Sequence, residues 1–154
     1  MLNQKAGLLV GCQPFSQNGK AQRQQSFELV FNHVALSVDD VDRAADFYKS
    51  VLHLREIRNE TRNPDIRWFS LGEDKELHLI SSVKEAIKLN KAVHFAIRIT
   101  TYAAFLDHLR SNDIPLSSWQ GEAGKISLRP EGIRQVYSQE PDGHWIEITS
   151  VIAD

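Results

Sequence analysis

The feature that most restricts the fold of this chain is that its pattern is written twice. His33-Val-Ala-Leu-Ser-Val38 and His94-Phe-Ala-Ile-Arg-Ile99 each begin with a histidine and alternate apolar residues after it. Each then runs into a helical pattern, Asp42 to Leu52 in the first copy and Tyr102 to Arg110 in the second. Farther along, Arg67 to Ile80 (RWFSLGEDKELHLI) and Arg134 to Thr149 (RQVYSQEPDGHWIEIT) also share an order of parts. An Arg and an aromatic lead into a glycine-containing turn, and a strand follows in which one polar residue sits between two apolar ones. Repetition of this kind means two copies of one module, each a strand, a helix and several strands.

At 154 residues and 42% hydrophobic composition, the chain is long enough for one well-buried domain. With a net charge of −2 neither sign dominates, so nucleic acid is not an expected partner. One cysteine, Cys12, excludes an internal disulfide and a cysteine zinc cluster. No run reaches the ~20 apolar residues of a membrane span. Residues 1–26 are rich in Gln, Ser and Asn without apolar periodicity, and they read as a flexible N-terminal tether. Within them, Leu9-Val10-Gly11-Cys12 resembles a lipobox, a remnant of a lipoprotein signal, although the apolar stretch before it is short. The expected location is cytoplasmic, with a lipid-anchored or exported protein as the alternative.

From Phe27 the pattern is regular, and residues 27–152 form the expected single domain of modules 27–83 and 92–152. A strand over 27–38 precedes a helix capped by Asp39 or Asp40, in which Val41, Ala44, Ala45, Phe47, Tyr48, Val51 and Leu52 share one apolar face. Strands are expected over 55–60, 66–71 and 76–82. After a polar link over 84–91, the second module predicts a strand over 92–99 and a helix from a Thr100 or Thr101 cap to about Asn112. Strands then follow over 116–119, 125–128, 133–139 and 145–151. Side chains alternate along a strand. His33 therefore opposes Val34, Leu36 and Val38, and His94 opposes Phe95, Ile97 and Ile99; His78 opposes Leu77 and Leu79, and Glu147 opposes Ile146 and Ile148. If the modules pair into one trough, His33, His78, His94 and Glu147 converge inside it as a ligand set for a divalent transition metal. Arg98 shares the parity of His94, and Arg67 and Arg134 are further candidates for holding an anionic substrate. His53, His108 and His144 lack the repeated placement and read as surface or capping residues.

The paired modules, the first-strand His, the FYKSVLHL helix end and the PDGHWIEI finish resemble the vicinal oxygen chelate superfamily, the glyoxalase/bleomycin resistance/extradiol dioxygenase proteins. The resemblance spans about Phe27 to Ser150. It implies an α+β fold of paired βαβββ modules forming a curved mixed sheet, and one divalent ion (Zn, Ni, Mn or Fe) at His33, His78, His94 and Glu147. It also implies a homodimer, with the site completed within one chain or between two. The activity implied is a divalent-metal-dependent lyase or isomerase of the lactoylglutathione lyase type on a small vicinal-oxygen substrate. There the metal stabilises charge developing on substrate oxygens and Glu147 is the proton-shuttling base. His78 and Ser37 depart from that enzyme's pattern, which usually has Glu at the first position and often Arg at the second. The alternatives are a fosfomycin-type thiol transferase and a non-enzymatic bleomycin-type sequestering protein, with a ring-opening dioxygenase behind them.

Overall fold

The computed structural model describes residues 28–85 and 88–151. The tether expected over 1–26, with its lipobox-like run, lies outside these residues. From Phe31 onward the chain forms one compact unit, and its elements repeat in order. In the first module they are β1 (His33–Ser37), α1 (Val41–Ser50), β2 (Glu56–Ile57), β3 (Ile66–Gly72) and β4 (Lys75–Ile80). In the second they are β5 (His94–Ile99), α2 (Tyr102–Ser111), β6 (Ser127–Leu128), β7 (Arg134–Gln139) and β8 (Trp145–Ser150). Each module is a four-stranded mixed sheet, ordered β1-β4-β3-β2 and β5-β8-β7-β6. The β1–β4 and β5–β8 pairs are parallel and the remaining pairs antiparallel.

Local chemistry explains the elements. Asp40 caps α1, its carboxylate accepting from the backbone N–H groups of Asp42 and Arg43, both at 3.0 Å. Val41, Ala44, Ala45, Phe47 and Tyr48 form the buried face of α1. Thr101 holds the N-cap position of α2 without a side-chain capping bond, and Tyr102, Leu106 and Leu109 are buried. The two helices and the helix-facing sides of both sheets share one core, to which Leu36, Phe69, Leu77, Leu79, Val136, Ile146 and Ile148 contribute. The turn between β7 and β8 is Pro141-Asp142-Gly143, where Gly143 takes φ 91°, a conformation that favours glycine.

Several expected strands differ: those over 55–60 and 125–128 are reduced to the two residues of β2 and of β6, and that over 92–99 begins at His94. The expected first strand begins at His33 and leaves out residues 28–32, because its partner β4 starts only at Lys75 and gives those residues no ladder. Residues 116–119 form no strand; Ser117 makes isolated bridges to Tyr137 and Ala123 instead. Among the described residues, no helix is long and apolar enough to cross a membrane.

The modules are joined unevenly. The β7–β8 turn of the second module reaches the first: Asp142 pairs with Arg43 of α1, and His144 Nε2 donates to the Ser37 carbonyl at 2.6 Å. His108 of α2 similarly donates from Nε2 to the Val51 carbonyl at 3.0 Å. His144 is therefore buried and His108 half-buried, both spent on inter-module hydrogen bonds rather than lying at the surface. The matching β3–β4 turn of the first module borders a cavity of about 850 Å³ that also touches Leu52, Arg98, Ile99 and Phe105. Among the described residues, no side-chain hydrogen bond or ion pair joins that turn to β5 or α2.

Candidate metal and substrate site

Register places the repeated polar residues at equivalent points. Ala35 lies opposite His78 across β1–β4, as Ala96 lies opposite Glu147 across β5–β8. Trp68 lies opposite His78 across β3–β4, as Tyr137 lies opposite Glu147 across β7–β8. All of these, with His33 and His94, occupy the sheet faces turned away from the helices, because their neighbours in sequence fill the core.

The first sheet holds His33, His78 and Glu76. The imidazoles of His33 and His78 stack with centroids 4.4 Å apart, and Trp68 covers the second at 4.2 Å and an interplanar angle of 6°. His78 Nε2 donates to Glu76 Oε2 at 2.7 Å, which leaves Nδ1 as its lone-pair nitrogen. His33 Nδ1 lies 2.7 Å from Asn32 Oδ1, an orientation that leaves Nε2 open. Sequence reasoning passed over Glu76. Its signal was parity, since it stands two residues before His78 on the same face, directly opposite His33.

The second sheet holds His94 and Glu147. His94 Nδ1 donates to the Lys91 carbonyl at 2.7 Å, and a carbonyl can only accept, so the proton is fixed on that nitrogen. Nε2 then faces Glu147 Oε2 at 2.9 Å. A lone pair aimed at a carboxylate oxygen is repulsive unless a proton or a cation lies between them. The same oxygen accepts from the Tyr137 hydroxyl at 2.9 Å. Burial, followed by this bond to Glu147, raises the Tyr137 pKa and keeps the phenol a donor. Trp119 lies against both rings, 6.3 Å from His94 and 5.5 Å from Tyr137.

The four expected ligands therefore form two pairs, one on each sheet, rather than one cluster. Among the described residues of a single chain, no group of three or more His, Cys, Asp or Glu side chains is placed to hold an ion. The donor chemistry nonetheless suits a divalent metal: imidazole nitrogens oriented by hydrogen bonds at their other ring nitrogen, and a carboxylate held by a phenol.

Two arginines lie elsewhere. Arg67 pairs across the ladder with Leu79, on the helix-facing side, and binds both Glu56 oxygens at 2.7 and 2.8 Å and Asp42 at 2.7 Å. Its expected place lining the trough is thus taken by an ion-pair network at the rim of α1. Arg134 shares the parity of the buried Val136, and its guanidinium lies over the Tyr102 ring of α2 at 5.7 Å. Arg98 alone shares the open face with His94, where it is exposed.

Beside the second pair lies a cavity of about 310 Å³ bordered by Lys91, Leu116, Ser117, Ala123, Tyr137 and Trp145. Burial lowers the Lys91 pKa.

A search of the curated proteins finds no match. Among solved structures, the chain superposes on lactoylglutathione lyase from Agrobacterium tumefaciens with TM-score 0.61 and 20% identity, covering 79% of this chain and 92% of that one. A glyoxalase family protein from Bacillus anthracis superposes with TM-score 0.65 and 21% identity, covering 82% and 98%. The oxidase ChaP-H2 does so with TM-score 0.61 and 18% identity, covering 81% and 95%. At such identities the likeness is one of fold. The sequence itself goes further, since the model of the Glyoxalase/Bleomycin resistance protein/Dioxygenase superfamily matches residues 30–148. With the duplicated module, the sheet order and this match in agreement, the chain belongs to the glyoxalase/bleomycin resistance protein/dioxygenase superfamily.

Proposed function

We propose that the chain is a divalent-metal-dependent lyase or isomerase of the glyoxalase type, acting on a small substrate with two adjacent oxygens. His33 and His78 of one protomer, together with His94 and Glu147 of a second copy, hold the ion. The observation that carries this reading is the His94–Glu147 contact: Nδ1 is held by the Lys91 carbonyl, and Nε2 lies 2.9 Å from a buried carboxylate oxygen, which sets two ligand atoms for one cation side by side. A bound divalent ion would supply electrophilic stabilisation of charge developing on substrate oxygens. The protein supplies the rest. Glu147 is the base, Tyr137 holds its carboxylate in place, and Trp68 and Trp119 are the aromatic walls that exclude water. A second copy is invoked because the two pairs sit on separate open faces, and because Trp119, beside His94, is 46% exposed in the single chain.

The test is elemental analysis with light scattering on wild type, His33→Ala and His94→Ala. A dimer with about one zinc, nickel, manganese or iron per chain, lost in both variants, is the expected result. Co-refolding the two variants should restore metal to the mixed dimer, because one of its two inter-chain sites is then intact. Loss without restoration would place the whole site within one chain. Protein that takes up none of these ions would support the ligand-sequestering reading.

A further inference from the structure

The ammonium of Lys91 is turned inward rather than into solvent. It donates to the Ser118 carbonyl at 2.8 Å and to Ser117 Oγ at 3.1 Å, and it lies over the rings of Trp145 at 4.6 Å and Tyr137 at 5.4 Å. An ammonium has three N–H donors. Two are met by these oxygens, and among the described residues no carboxylate pairs with the charge. Aromatic faces stabilise a cation but do not neutralise it, and a partly desolvated charge is costly until an anion meets it. The group borders the 310 Å³ cavity, whose volume lies within the range of small-molecule sites and whose other walls include Pro115, Leu116 and Ala123.

Lys91 is also tied to the chemistry next door. Its carbonyl fixes the proton of His94, and Tyr137, another wall of the cavity, is the donor to Glu147. A ligand whose anionic end met Lys91 would lie against Tyr137, whose hydroxyl donates to Glu147. We propose that Lys91 anchors a carboxylate group of the substrate, which makes the substrate class small organic acids with an apolar or aromatic body. This deepens the reading of Glu147 as the base and rests on it, while the anchoring itself needs no metal. A purely structural lysine, tying residue 91 to the Ser117–Ser118 segment, would give the cavity no preference between an acid and its neutral isostere.

The experiment is a titration of the full-length protein with benzoate and with benzamide, followed by tryptophan fluorescence and by ligand line broadening in NMR, with and without chelator. Saturable benzoate binding, at least about 10-fold tighter than benzamide and weakened by added salt, is expected in both conditions. Lys91→Met should abolish the preference and Lys91→Arg should keep it, with the far-UV spectrum of each unchanged. Equal binding of the two probes, no saturable binding of benzoate, or an undiminished preference in folded Lys91→Met would overturn the proposal. The wild-type comparison decides the matter even if a variant fails to fold. Because the chelated protein is measured as well, failure of the metal reading shows in elemental analysis and leaves this result standing or falling by itself.

Discussion

Glu147→Gln separates the charge of the buried carboxylate from its shape. In the wild type its Oε2 accepts from Tyr137 at 2.9 Å and faces His94 Nε2 at 2.9 Å. A hydrogen bond to a charged group contributes about 1.5–3 kcal/mol and a neutral one about 1 kcal/mol, so the Tyr137 bond weakens by about 1 kcal/mol. Both contacts fall on one atom, so an amide oxygen there keeps the Tyr137 bond but cannot donate to His94 Nε2, and nothing offsets the loss. Ion-free protein should therefore be less stable than wild type by about 1 kcal/mol. Added metal should part them. An ion at a hundred times its Kd stabilises the native state by about 2.7 kcal/mol. At roughly 4 °C per kcal/mol, the wild-type Tm rises by roughly 10 °C. Thermal melts by circular dichroism, in chelator and then with zinc or nickel, should show less than half that rise in the variant and no proton-transfer turnover. An equal rise in both proteins, with full metal content and turnover in the variant, would show that Glu147 is neither ligand nor base.

Arg67→Ala should cost about 1 kcal/mol in urea melts at neutral pH, since the Arg67 network is partly exposed, and should leave benzoate affinity unchanged. The bond to Arg67 lowers the Glu56 pKa, so that stabilisation is present above the ordinary carboxylate range and is lost as pH falls through the folded value. The gap between variant and wild type should accordingly close in acid. Glu140 has the opposite sign: burial raises its pKa despite hydrogen bonds from the backbone N–H groups of His144 and Asp142. Its contribution is complete below the ordinary carboxylate range and is lost as pH rises through the folded value. Glu140→Gln keeps an acceptor for both N–H groups and should gain stability relative to wild type as pH rises above the ordinary carboxylate range, as read from pH-dependent urea melts; a constant difference would contradict the assignment.

What was legible in the sequence was local. The faces occupied by His33, His78, His94 and Glu147 follow from alternation along single strands, and the module order follows from repetition. What escaped was long-range. That the polar residues divide into two pairs depends on how the sheets meet, which no strand's own pattern states. Arg67 faces the helix because β3 is registered so that Trp68, not Arg67, opposes His78, and register between strands is not written in either one. His144 looks like a turn residue until the fold brings it to Ser37, 107 positions away. Glu76 and Tyr137 were readable by the same parity argument as the four chosen residues, but a glutamate near a turn and a tyrosine in a strand have more common explanations.

The one-sided junction of the modules has a dynamic consequence. At its His94 end, β5 lies beside the hairpin turn whose His144 and Asp142 grip β1 and α1, while its Arg98 end borders the cavity next to the β3–β4 turn. Apart from the His108–Val51 bond and apolar packing, nothing among the described residues ties the modules at the Arg98 end, so amide hydrogen exchange along β5 is expected to be faster toward Arg98 than toward His94. On the proposed assignment of His94 and Glu147, opening from the Arg98 end would leave the site's end of the strand shut.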